Sequence, residues 1–117
     1  MAARYTLTEA QVRHAIAAGE FGDDVIRSSR CVAVVMSQSW CPQWHAVERW
    51  LGDLPREAEI GIYTVVYDLE PFFEEFMRFK ETVFRNHQVP YIRYYIEGRL
   101  VKETNYTSKD FFLKAFA

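Results

Sequence analysis

Cysteine is scarce in this chain: its 117 residues include two, Cys31 and Cys41. Two thiols are too few for the disulfide scaffold of a small secreted domain. Their spacing also argues against a single bridge. If Cys31 opens a strand, about five residues at roughly 3.3 Å each plus a turn carry Cys41 beyond the ~7 Å Cα limit for a disulfide, and both thiols are expected free. An excess of one charge is missing too. Fourteen basic and sixteen acidic residues leave a formal charge of -2, so there is neither a basic field for nucleic acid nor an acidic solvating tail. No apolar run approaches the roughly 18 residues of a membrane span, and Met1 to Gln11 lacks the pattern of a signal peptide. The expectation is a soluble cytoplasmic protein with no nucleic-acid or membrane partner. Internal repeats and low-complexity segments are also absent. Half of the residues are hydrophobic, which suffices for the core of one domain spanning 1–117.

The residues that are present alternate between helical and strand patterns. Thr8 with Gln11 reads as a capping box, followed by Ala10, Val12, Ala15 and Ile16 on a helix that Gly19 can end. Asp23 to Ile26 suggests a short helical turn. Cys31 to Met36 is a continuous β-branched run of the kind covered on both faces. From Pro42, the residues Trp44, Val47, Trp50, Leu51 and Leu54 recur at helical spacing until Gly52 and Pro55 close the segment. Ile60 to Tyr67 is a second buried strand. Asp68 to Pro71 then offers an N-cap region for a helix with Phe72, Phe76, Phe79 and Val83 facing inward, Phe73, Met77 and Phe84 widening that stripe, and Asn86 as a left-handed stop. Tyr91 to Ile96 and Leu100 to Thr104 pair across Glu97-Gly98 as a hairpin, and Thr107 with Asp110 opens a last helix through Phe116. The order α, β, α, β, α, β, β, α packs most economically as an α/β fold, a three-layer mixed sheet flanked by helices.

The most informative stretch is Ser39-Trp40-Cys41-Pro42-Gln43-Trp44. It places one thiol where a buried strand hands over to a helix, where unpaired N–H groups and the positive end of the helix dipole favour a nucleophilic thiolate. Trp44 stands where the second cysteine of a C-x-x-C pair would be, so Cys41 has no motif partner. The element order, the strand ending in Trp-Cys before a long helix, and Val89-Pro90 leading into the hairpin together resemble the thioredoxin superfamily, over roughly residues 8 to 117. The resemblance matches Trp40 and Cys41 to the tryptophan and attacking cysteine of the family motif, Val89-Pro90 to its cis-proline dipeptide, and Gly98 to its hairpin glycine. It implies that Pro90 lies across from the Cys41 sulfur and that the Val89 backbone is open to strand addition by an extended peptide.

The departures from that family are equally informative. Val35 stands where thioredoxins carry a buried acid, and Thr64 replaces their lysine on the next strand, so the proton relay is missing. The segment between Asp68 and Pro90 looks longer, suggesting an extended Phe-rich helix. Gln88-Val89-Pro90 is similar to the glutathione-contacting tripeptide of glutaredoxins, but no Gly-Gly pair follows the hairpin, which makes thioredoxin-like the better description.

Two functional readings follow. In the first, Cys41 is the sole nucleophile in thiol-disulfide exchange with a protein or low-molecular-weight thiol partner, with Trp40, Trp44, Val89, Pro90 and Tyr91 as the substrate-side wall. The second is a redox-silent binding module, in which the rim of Trp40, Trp44 and Tyr91 recognises a partner chain and Cys41 is a relic. Trp44 reads first as a packing residue, because its spacing joins Val47 and Leu51, though beside the sulfur it would also restrict access. His45, four residues after Cys41, is a candidate modulator of a thiolate. His87 is placed to approach the same rim, but a Cys41, His45, His87 metal site rests on a spacing that chance produces easily, and no metal or cofactor is assigned. Tyr91, Arg93 and Tyr95 share one strand face, with the arginine expected to snorkel to an edge. Cys31 reads as a small buried hydrophobe.

Overall fold

The computed structural model describes residues 3–55 and 58–117. Its centre is a five-stranded mixed sheet of β1 (Ala3–Thr6), β2 (Cys31–Ser37), β3 (Ile60–Val66), β4 (Tyr91–Ile96) and β5 (Arg99–Thr104), in the order β1-β3-β2-β4-β5. The first three strands run parallel, and β4 and β5 are antiparallel additions on the other side of β2. Strand β2 is buried at every position, as its unbroken apolar run requires of a strand covered on both faces. Helices α1 (Glu9–Ala18), α2 (Asp23–Ile26) and α4 (Phe73–Thr82) contribute to the core on one face, and α3 (Pro42–Leu51) and α5 (Lys109–Lys114) to the core on the other.

The local signals fix most boundaries. Thr8 and Gln11 form the reciprocal capping box of α1, and Gly19 ends it in the left-handed conformation at φ 84°. Pro42 opens α3 one residue after Cys41, its N-cap. Glu97 and Gly98 both have positive φ, the geometry of a two-residue hairpin turn matched to strand twist. The peptide bond between Val89 and Pro90 is cis.

Several elements depart from the sequence reading. Strand β1 was not anticipated: Ala-Arg-Tyr-Thr is short, polar at alternate positions and half exposed, and only its parallel pairing with Gly61–Thr64 makes it a strand. The helix after Pro71 is not extended. It begins at Phe73 with Phe72 as N-cap and stops at Thr82, and the rest of the segment to Pro90 is an irregular connection. Val83, placed on the buried stripe, is half exposed because it falls beyond the last helical residue, whereas Phe84 is buried. The left-handed residue is Arg85 at φ 57° rather than Asn86. Helix α5 is capped by Ser108, whose hydroxyl accepts from Phe111 N, and not by Thr107.

Arg93 does not snorkel. Its guanidinium is buried, 2.7 Å from Glu20 and from the Tyr95 hydroxyl, 2.8 Å from the Tyr91 hydroxyl, and stacked 3.8 Å from the Phe84 ring centroid. Burial opposes its charge, but Tyr95, Glu20 and Tyr91 outweigh that and raise its pKa. Burial raises the pKa of Tyr95 and Tyr91 in turn, against the lowering effect of Arg93.

Candidate functional site

The C-terminal ends of β2 and β3 deliver two loops to one end of the sheet, where open α/β folds place their ligands. The β2 loop carries Gln38 to Cys41, and β3 leads into a 3-10 turn at Tyr67–Leu69. Asp68 ties the two together: its carboxylate accepts from Ser39 N at 2.8 Å and from Ser39 Oγ at 2.6 Å. This aspartate, expected near the cap of α4, instead fixes the turn that precedes the thiol. A second chain of bonds runs from the exposed Trp40, whose Nε1 donates to Gln38 Oε1 at 2.6 Å, to Gln38 Nε2, which donates to the Tyr67 hydroxyl at 3.1 Å. Burial raises the Tyr67 pKa, against the bond from Gln38, so its phenol stays neutral.

Cys41 occupies the N-cap of α3 with extended backbone, and its carbonyl accepts the first helical bond from His45 N at 3.2 Å. Its side chain makes no cap bond. The sulfur lies 3.6 Å from the Val89 carbonyl, to which the thiol donates. The two loops that the sequence reading joined, around Cys41 and around Val89-Pro90, therefore meet at this contact. A cleft of about 490 Å³ opens beside it, lined by Trp40, Cys41, Gln43, Tyr67, His87 and Val89 among others. Glu81 and Gln88 also reach the cleft, and His87 Nδ1 stands 3.7 Å from Glu81 Oε1.

Two residues assigned to the substrate-side wall are elsewhere. Trp44 is 3% exposed and packs in the core cluster with Cys41, Val47 and Leu51, because the third helical position of α3 faces the sheet. Tyr91 is fully buried on the opposite face of the sheet, its hydroxyl donating to Glu103 and accepting from Arg93. Neither contributes to a rim. Pro90 is buried behind Val89. His45 is exposed, and its Nε2 donates to the Ser39 carbonyl at 2.7 Å, so its ring supports the loop and is not directed at the sulfur. Among the described residues, no cluster of three or more His, Cys, Asp or Glu side chains has the arrangement to hold a metal.

The core around the thiol is apolar. Val35 and Thr64 are register partners on β2 and β3, both buried, and Thr64 Oγ1 donates to the Tyr5 carbonyl at 3.5 Å. Neither offers a carboxylate or an ammonium. Both cysteines are unbridged. The sequence reading did not identify Gln38, Tyr67, Asp68 and Glu81 as part of this region. Their legible signal was position: Tyr67 and Asp68 directly follow the strand adjacent to β2.

No family model and no curated protein matches the chain. Solved structures do. A mutant thioredoxin from Halobacterium salinarum superposes with a TM-score of 0.67 at 14% identity, over 96% of this chain and 86% of that one. Thioredoxin O1 from Arabidopsis thaliana, in its oxidised state, gives a TM-score of 0.67 at 14% identity, over 97% and 94% of the two chains. A buckwheat glutaredoxin–glutathione complex matches less well, with a TM-score of 0.50 at 18% identity over 83% of this chain and 78% of that one. The layered mixed sheet, with a cysteine at the N-cap position of the helix that follows its central strand, thus has the thioredoxin fold.

Proposed function

We propose that this chain is a thioredoxin-like redox protein with one working thiol, Cys41, which forms mixed disulfides with a protein partner. The observation that carries the reading is the meeting of the Cys41 sulfur with the Val89 carbonyl at 3.6 Å, beside an open cleft. Cys41 first loses its proton to solvent. Its sulfur then attacks one sulfur of a partner disulfide, a new S–S bond forms, and the other partner sulfur leaves as a thiolate that takes up a proton. With Trp44 in the core and no second motif cysteine, an external thiolate must attack the partner's sulfur in the mixed disulfide, forming a new S–S bond to it and expelling Cys41 as a thiolate that takes up a proton. That thiol is a second protein or a low-molecular-weight compound. Trp40 and Val89 border the entry, and the Val89 backbone is the edge to which an extended partner segment adds. A reducing, cytoplasmic compartment is the setting in which two free thiols persist.

A specific observation favours the competing reading of a redox-silent binding module: Cys41 is only 4% exposed, and its thiol is already engaged with Val89. The pH dependence of Cys41 alkylation in a Cys31→Ser background separates the two. Single-thiol exchange requires alkylation that rises with pH between about 6 and 9, and mixed disulfides that vanish in Cys41→Ser. A folded chain whose Cys41 resists alkylation throughout that range is a binding module.

A further inference from the structure

Lys80 is the most deeply buried charged side chain among the described residues, 1% exposed on the inner face of α4. A lysine at a core position is costly unless its donors are matched, and an apolar residue of the same volume would serve packing at least as well. Its three N–H donors are matched, all by one short segment. Nζ donates to the Asn86 carbonyl at 2.9 Å, to Asn86 Oδ1 at 3.2 Å and to the Gln88 carbonyl at 2.7 Å. The Tyr91 ring lies 5.5 Å from the same nitrogen.

The segment so held is the irregular connection from α4 to β4. Arg85 turns it with positive φ, and Asn86 N returns to the Lys80 carbonyl at 3.2 Å. Asn105, just past β5, grips it from the other side. Its Nδ2 lies 2.9 Å from Asn86 Oδ1, 3.4 Å from the Gln88 carbonyl and 3.1 Å from the Pro90 carbonyl. The Gln88 carbonyl is thus fixed by an ammonium and an amide together. One peptide unit further on is the Val89 carbonyl that meets the Cys41 sulfur.

We propose that Lys80 and Asn105 are positioning residues that fix the Gln88–Val89–Pro90 wall of the cleft, so that the Val89 backbone is pre-organised to pair with an extended partner peptide. This rests on the thiol-exchange reading of Cys41 and assigns the recognition half of that site to residues that touch no substrate. The buried ammonium acts through the loop and not on the sulfur. Its removal therefore changes how tightly a peptide is held and leaves the reactivity of the thiol toward small reagents in place.

The test compares the full chain with Lys80→Met and Asn105→Ala. The probe is a short extended peptide whose single cysteine carries a thionitrobenzoate group, which Cys41 displaces with release of a coloured thiolate. In Lys80→Met the half-saturating peptide concentration rises about tenfold to a hundredfold, the loss expected when buried carbonyls lose their donor. Alkylation of Cys41 by iodoacetamide is not slowed. Amide exchange at Gln88, whose N–H donates to Asn86 Oδ1, accelerates by about tenfold or more, with α4 and the centre of β4 unchanged. Asn105 is only partly buried, so Asn105→Ala carries the comparison if Lys80→Met does not fold. Unchanged peptide saturation with unchanged exchange at Gln88 overturns the proposal. A wild-type chain that never reacts with the peptide sinks the thiol-exchange reading alone, and the amide exchange then decides the clamp.

Discussion

Replacing Trp44 by cysteine recreates a C-x-x-C pair, and the structure predicts that it damages the fold more than it helps the chemistry. The indole is 3% exposed in the cluster of Cys41, Val47, Leu51, Ile92 and Phe112. Truncating a buried Trp or Phe to alanine costs about 3 to 5 kcal/mol, from lost transfer energy and the cavity left behind. A cysteine side chain recovers about 1 kcal/mol of that through its own burial. The expected loss is therefore about 2 to 4 kcal/mol, out of the roughly 5 to 15 kcal/mol that folded domains have in total. Urea unfolding with the thiols kept reduced measures it directly. The same variant, assayed for insulin reduction with thioredoxin reductase as electron source, should gain only slight turnover. The new thiol lies on the core side of Cys41, where Val35 and Thr64 supply no proton carrier. A loss under about 1 kcal/mol would show that Trp44 is not a core residue. Turnover rivalling a dithiol thioredoxin would refute the claim that the missing acid and lysine limit release.

The wild-type chain in the same insulin assay should show almost no turnover while accumulating a mixed disulfide at Cys41, visible by intact mass; sustained reduction would refute the single-thiol mechanism. Phe76, fully buried against Tyr67, Phe72 and Phe79, should cost about 3 to 5 kcal/mol on truncation to alanine, and the half-exposed Val83 less than about 1 kcal/mol, so equal losses would misplace the α4 face. Burial lowers the Lys80 pKa to about 8, with Glu81 opposing. Between that pH and the ordinary lysine value the unfolded chain holds a proton the folded chain has released, so wild-type stability should rise relative to Lys80→Met as the pH goes from about 7 to 10. Urea midpoints that keep a constant gap over that range would show a lysine of ordinary proton affinity. Ser39→Ala together with Asp68→Ala removes the bonds that hold the turn before the thiol, and should loosen amide protection at Ser39 and Cys41 without unfolding the sheet, as exchange mass spectrometry would report.

Much of this fold was legible in the sequence because its signals are local. The β-branched run at Cys31, the Thr8–Gln11 box, Pro42 after the thiol and the Glu97-Gly98 turn each act within a few residues, and each sits where its chemistry predicts. The placement of Cys41 at a helix N-terminus and its lack of a motif partner belong to the same class. What the sequence could not decide was which side chains from distant segments share a surface. Trp44 is adjacent to the cleft-lining Gln43 and Tyr91 is two residues from the cleft-lining Val89, yet the helix phase and the strand pleat turn both into the core. Strand β1 exists only through its partner β3. The pairing of Asp68 with Ser39 converts a residue that read as part of a cap into a brace of a loop, and the pairing of Lys80 with Asn86 and Gln88 makes a second brace of a residue that no local pattern singles out. Capping and turn preferences are carried by a handful of neighbouring dihedrals, and so are written in the chain. The choice of which polar group satisfies which buried carbonyl is made only when the layers close and water is excluded, and that choice is tertiary.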